Sequence, residues 1–187
     1  VDVMGWMDWI FTAVSVIWLV EFIVFKNRET GQGDPVEKRT FFGILLSLIA
    51  TIAVGFWLQE LAETEMASVL RPIGLVLLIV GVFLRFWGII HLKSQFTRHV
   101  TVREGDTIVS SGPYRKLRHP LYTGLFLIGI GMALFFTSPI AAIAGGLLLA
   151  FALNKRMQHE EALLVEKFGP EYKEWMKHRA RLIPYIY

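Results

Sequence analysis

Five apolar runs, each too continuous for the core of a soluble domain, decide how this chain can fold. They cover residues 5–25, 41–58, 72–92, 121–136 and 139–153. A helix that crosses a bilayer needs about twenty apolar residues, because hydrocarbon leaves the backbone no partner but itself. The last two runs are short and separated only by Thr137 and Ser138, which predicts two helices in a tight turn. The expected fold is all-α: an integral membrane protein with five transmembrane helices, a tight hairpin of helices 4 and 5, and a cytosolic helical tail. With 54% hydrophobic and 13% aromatic residues, an ordinary soluble domain is excluded. We find no internal repeat, and one domain over residues 1–187 uses the whole length.

The charges set an orientation. Lys26, Arg28, Lys38 and Arg39 lie between runs one and two, and Glu60, Glu63 and Glu65 between two and three. Lys93, Arg98, Arg103, Arg115, Lys116 and Arg118 follow run three, and the turn before run five is uncharged. The tail is basic again, with Lys155, Arg156, Lys167, Lys173, Lys177, Arg179 and Arg181. Basic and non-basic connections alternate, so the positive-inside rule places the amino terminus outside and the tail in the cytosol. Asp2 and Asp8 flank the first run where a signal peptide would be basic, so we expect a retained helix.

The polar segments carry local signals of their own. Residues 103–107 read as a turn and 107–109 as a short extended piece. Residues 154–168 continue run five as an amphipathic helix that Gly169-Pro170 stops. Residues 171–178 form a second short helix with Tyr172, Trp175 and Met176 on its apolar side.

Chemistry concentrates in residues 111–124, SGPYRKLRHPLYTG. Pro120 suits the first turn of a helix, where its missing N–H removes no bond. Arg118 and His119 then precede the positive end of that helix, with Tyr122 in its first turn, and together they can receive an anion. Arg115 and Lys116 read instead as interfacial anchors. Arg85 lies inside run three, where a charge either snorkels or serves a function. His91 ends that run and can be an interfacial, hydrated residue. His99 and His159 lack partners at metal-ligand spacing, and there is no cysteine, so no metal is expected. A net charge of +3 gives no argument for nucleic acid.

RHPLYTG after SGPYRKL resembles the signature of the isoprenylcysteine carboxyl methyltransferase family and its bacterial-type integral membrane relatives. The resemblance covers about residues 84–184 and includes LRFWGIIHLKSQFT and RMQHEEALLVEKFGPEYKEW. It implies that S-adenosyl-L-methionine is the cofactor, held by the last two spans and the tail. It further implies that Arg156 and Glu161 line the reaction centre, with Glu160 beside them. Tyr114, Arg118, His119, Pro120, Tyr122, Glu160 and Leu163 are the expected cofactor-binding residues. Leu125 or Leu164 are other candidates for the adenine slot, and Trp175 for the sulfonium. No Rossmann glycine fingerprint is present.

The implied activity is methyl transfer to a lipophilic acceptor at the cytosolic membrane interface, in a bacterial inner (plasma) membrane. The acceptor would be a carboxylate, such as that of an isoprenylated cysteine or a related lipid. Expected partners are a lipophilic or lipidated substrate and membrane lipids, with the oligomeric state open. Phospholipid amine methyltransferases are a close alternative. A five-span transport or assembly protein is the non-enzymatic one, but it calls for polar residues along the middle of the spans, and these are few. Sterol reductases look similar in this fold, yet their segment favours Asn before the Tyr and Asp after the Gly, where this chain has Leu121 and Leu125. The topology has a direct test: a reporter fused after Tyr187 should be active in the cytosol, and activity only outside the cell would refute the orientation.

Overall fold

Six α-helices run through residues 5–25, 35–59, 64–96 and 105–183, the parts of the chain described in the computed structural model. They are α1 (Trp6–Val24), α2 (Pro35–Leu58), α3 (Thr64–Leu92), α4 (Pro120–Phe135), α5 (Pro139–Phe168) and α6 (Pro170–Lys177). Among these residues there is no strand, only one isolated parallel bridge between Leu117 and Ala180. Lys26, Arg28, Glu60, Glu63, Arg98, His99, Arg103 and Glu104 lie outside the described residues.

Three helical stretches, Lys38–Leu58, Glu65–Leu92 and Pro139–Phe168, are long and apolar enough to cross a membrane, and Pro120–Phe135 is a shorter apolar helix. Their outward faces carry bare hydrocarbon: Leu46 and Ile140 are 70% and 71% exposed. The third run begins earlier than its hydropathy suggests. The helix starts at Thr64 and holds Pro72 in its interior. Residues 64–71 are polar enough to end an apolar window but still helical, and Pro72 forfeits only one ladder bond.

The long helices alternate in direction. Asp8 of α1 pairs with Arg71 of α3, and Glu21 with Arg85, so α1 and α3 run parallel. The tightest contact is between antiparallel α3 and α4. Glycines stand seven apart on both helices, Gly74 and Gly81 facing Gly131 and Gly124. A Cβ on Gly81 would come within 2.7 Å of the Gly124 carbonyl, and one on Gly131 within 2.7 Å of the Leu78 nitrogen. Close backbone approach of this kind replaces the hydrophobic drive that hydrocarbon cannot supply. Beside this seam, Leu78, Ile128, Leu149, Leu153 and Met157 form the buried core shared by α3, α4 and α5.

The hairpin predicted between runs four and five forms through Phe136, Thr137 and Ser138, with Thr137 at φ 57°. The Ser138 hydroxyl accepts from the Ala141 N–H at 3.2 Å and caps α5. That helix then continues for 30 residues to Phe168, where Gly169 at φ 57° ends it and Pro170 starts α6. The predicted extended piece at 107–109 has no strand partner; Thr107 instead accepts and donates through the Gln95 side chain.

If the glycine seam sets the fold, Gly131→Ala should lower stability in detergent by about 1–3 kcal/mol, the cost of an overpacked contact. Gly43→Ala, where a Cβ meets nothing within 4 Å, should leave the melting temperature unchanged.

Candidate functional site

Proline at the first helical position fixes where α4 begins, and His119 stands immediately before it. An anion of the chain itself already meets the Arg118 and His119 side chains. Arg118 Nη1 donates to Glu161 Oε1 at 2.9 Å, and His119 Nε2 lies 3.0 Å from the same oxygen. Arg181 Nη2 donates to the other oxygen at 2.7 Å and its Nη1 to Asn154 Oδ1 at 2.9 Å. His119, Glu161 and Arg181 are buried, so each ionic bond here is weakly screened.

Arg181 arrives on a short strap that follows α6. The Arg118 N–H donates to the Ala180 carbonyl at 2.8 Å, and the Ala180 N–H to the Lys116 carbonyl at 3.0 Å. The Thr123 hydroxyl donates to the Leu182 carbonyl at 2.6 Å, and Arg179 Nε to the Tyr114 carbonyl at 2.8 Å. The strap thereby joins the start of α4 to the far half of α5.

One turn along α5, a second polar chain crosses between helices. Arg156 Nε donates to the Tyr122 hydroxyl at 3.0 Å, and that hydroxyl donates to Glu160 Oε2 at 2.8 Å. Arg156 Nη1 also donates to Thr40 Oγ1 of α2 at 3.3 Å. Arg156 is 3% exposed by area, yet it borders a cavity of about 580 Å³. That volume suits a small-molecule ligand.

The cavity has two chemically distinct parts. At the tail end it is walled by Arg118, His119, Glu160, Leu164, Tyr172 and Trp175. Towards the membrane it is walled by Trp18 and Leu19 of α1 and by Ile44, Leu48 and Ile52 of α2. Tyr122, Leu125, Arg85 and Arg156 border it as well. On the rim Leu19, Leu45 and Ile49 are 56%, 40% and 53% exposed, so the apolar part opens sideways between α1 and α2.

Tyr172 and Trp175 stack with ring centroids 5.3 Å apart, and Trp175 Nε1 donates to Ser110 Oγ at 2.8 Å. Burial, then the carboxylates of Glu160 and Glu161, push the Tyr172 phenol well above its ordinary range. Burial does the same to Tyr114, aided by Glu160. Both rings therefore stay protonated donors and are not bases at neutral pH.

Of the residues singled out from sequence, Tyr114, Arg118, His119, Tyr122, Arg156 and Glu160 border this cavity. Leu125 and Leu164 border it, whereas Leu163 and Pro120 are not among its lining residues. Glu161 faces the Arg118, His119 and Arg181 cluster. Arg115 and Lys116 are exposed, as anchors would be. Arg85 does not snorkel: it is buried against Glu21. His91 packs on Gly112 of the turn before α4, its Nδ1 2.8 Å from the Trp87 carbonyl. Sequence reasoning missed Arg181 and Arg179, whose only signal is that they are the last charges after α6.

The Glu161 cluster makes a test of its own. Glu161→Gln should leave the buried Arg181 guanidinium and the half-buried Arg118 guanidinium without this counter-charge, a loss of about 3–5 kcal/mol. Thermal melting should fall, and limited trypsin digestion should cut the freed strap at Arg179 and Arg181. Glu174→Gln, on the open surface, should change neither.

Known proteins resemble this chain. Residues 74–166 match the isoprenylcysteine carboxyl methyltransferase (ICMT) family. A probable protein-S-isoprenylcysteine O-methyltransferase of Oryza sativa subsp. indica is 26% identical over 95% of this chain and 96% of its own length. Protein-S-isoprenylcysteine O-methyltransferase A of Arabidopsis thaliana is 30% identical over 95% of this chain and 89% of its own. In fold, the chain is similar to the solved structure of a eukaryotic intramembrane Ras methyltransferase, ICMT, with a TM-score of 0.66 and 22% identity. That match covers 96% of this chain and 62% of the other.

Proposed function

The chain belongs to the isoprenylcysteine carboxyl methyltransferase family, and from that premise we propose that it methylates the carboxylate of a lipophilic acceptor, such as an isoprenylated cysteine or a related lipid. The methyl donor is S-adenosyl-L-methionine, and the reaction takes place at the cytosolic face of the membrane. One observation carries the reading. A polar chamber and an apolar groove that opens sideways are parts of one cavity, and Arg156 borders it beside Tyr122.

The chamber has the chemistry that this donor requires. Arg118 Nε is buried without a hydrogen-bond partner among the described residues. Arg118 and His119 offer donors for an amino-acid carboxylate, and Glu160 offers an acceptor for its ammonium. The faces of Tyr122 and Trp175 suit a sulfonium, and Leu125 or Leu164 an adenine edge. Bound S-adenosylmethionine supplies an electrophilic methyl group. Glu161 holds Arg118 and His119 in place and so acts on the donor site through them.

The protein's part in the reaction is placement. A carboxylate acceptor is already ionised at neutral pH and needs no general base. It must be stripped of water and held in line, which a dry groove and a guanidinium fork provide. Arg156 is the residue we assign to that task. A tail in the groove between α1 and α2 would reach the site from the bilayer without entering water.

The same reading takes α1 to α5 as five spans within one domain of a bacterial-type plasma-membrane protein, with the amino terminus outside. The alternating helix directions and the charge alternation support it.

Two arginines then divide the labour. Arg118→Ala should weaken binding of S-adenosylhomocysteine by roughly ten- to a hundredfold, the loss of a charge-assisted hydrogen bond, as read by calorimetry. Arg156→Ala should keep that affinity near normal and lower turnover further, and Arg156→Lys should not rescue it. Lys116→Ala, exposed, is the silent control. Full turnover in folded Arg156→Ala would remove Arg156 from the reaction centre, and binding of NADPH in place of the S-adenosyl ligand would overturn the whole reading.

A further inference from the structure

Two charges at membrane depth remain outside this account. Glu21 of α1 is 0% exposed and Arg85 of α3 is 9% exposed. Arg85 Nε donates to Glu21 Oε2 at 2.7 Å, and Arg85 Nη2 makes a second hydrogen bond to Oε1. Such a bidentate pair fixes direction as well as distance. The third arm of the guanidinium, Nη1, donates to the Leu121 carbonyl in the first turn of α4 at 3.2 Å. The stem of Arg85 passes over Gly124, where a Cβ would sit 2.6 Å from Arg85 Cγ.

An ion pair at this depth is a costly way to add stability, because apolar side chains would pack there more cheaply. Its position suggests another use. Trp18, about one turn from Glu21, forms the α1 wall of the groove, and Ile44 and Leu48 of α2 form the opposite wall. The cavity lies between those two helices, which make few direct backbone approaches to each other. Helix α1 is instead held from behind, by Arg85, by Asp8–Arg71, and by Phe11 stacked on Phe135 at 4.1 Å. Of these, only Arg85 also touches the start of α4, next to Tyr122 and His119.

We propose that Arg85 is a positioning residue for the lipophilic acceptor. By holding Glu21 with two arms and Leu121 with the third, it fixes the α1 wall of the groove relative to the chamber where the methyl donor binds. The proposal rests on the function argued above: the groove takes the acceptor's apolar tail, and Arg85 sets how far that wall stands from Arg156. It predicts a selective defect. Loss of Arg85 or Glu21 should impair use of the tailed acceptor and spare the donor.

Purified full-length chain in nanodiscs tests this with two independent readings. In the first, Arg85→Gln and Glu21→Gln are assayed with N-acetyl-S-farnesylcysteine as acceptor. The acceptor KM should rise about tenfold, the scale of a misfitted apolar pocket. The affinity for S-adenosylhomocysteine should stay within about twofold, and Arg85→Lys should recover part of the KM. A uniform fall in donor affinity, acceptor KM and melting temperature would show a merely structural pair and overturn the proposal.

The second reading needs no activity. The chain has no cysteine, so spin labels can be placed at Ile23→Cys on α1 and Leu46→Cys on α2, both exposed and outside the cavity wall. The α1–α2 distance distribution should be narrow in the parent and broaden in Arg85→Gln. An unchanged distribution would overturn the proposal, whatever the kinetics. If the parent fails to methylate any prenylated cysteine but the labels respond, the proposed substrate is wrong while Arg85 still sets the groove wall.

Discussion

The meeting of α3 and α4 backbone to backbone is the contact on which the rest of the structure depends. Side chains cannot drive two helices together in hydrocarbon, where lipid tails offer the same dispersion energy as leucine. Removing the side chains lets the peptide groups themselves come into van der Waals range, and the paired glycines do this twice, at Gly74–Gly131 and Gly81–Gly124. The second pair has a chemical result. Gly124 belongs to the basic segment that opens α4, and its missing side chain is the space through which Arg85 crosses to Glu21 and the Leu121 carbonyl. One small residue therefore serves packing and the charge arrangement together.

Among the described residues, the buried charges largely meet one another. Arg118, His119 and Arg181 converge on Glu161, Arg85 closes on Glu21, and Arg71 closes on Asp8. Each pair joins elements that are distant in the chain, 63 or 64 residues apart for the two α1–α3 bonds. In a low dielectric such bonds are directional and intolerant of half-removal. The cavity is thus bounded by groups whose positions are fixed before any ligand arrives, as preorganised chemistry requires.

Much of this was legible in the chain because it depends on local signals. Pro120 marked the start of α4, and Gly169-Pro170 marked the end of α5 after its amphipathic extension, each within a residue. The grouping of Tyr122, Arg156 and Glu160 followed from a family resemblance rather than from spacing. What stayed hidden is tertiary. Arg181 reaches Glu161 across 20 residues and a helix reversal, and no periodicity announces it. Arg85 is ambiguous in the sequence because depth alone does not say which way a guanidinium turns, and nothing there pairs it with Glu21. The apolar run from Pro72 covers only part of α3, which starts at Thr64, because an apolar run stops where polarity begins, while a helix stops only where its hydrogen bonds do.

The uninterrupted course of α5 makes the site answerable to the bilayer. Its 30 residues span about 45 Å, and no break in the helix separates its apolar stretch from the stretch that bears Arg156, Glu160 and Glu161. A rod transmits tilt. In a thinner or thicker bilayer a helix adjusts its angle, and this one carries its polar end through an arc while Tyr122 and Thr40 stay with other helices. The hydrogen bonds from Arg156 to Tyr122 and Thr40 would register that rotation. On the function proposed above, hydrocarbon thickness would become a mechanical input to the chemistry, delivered along a single lever.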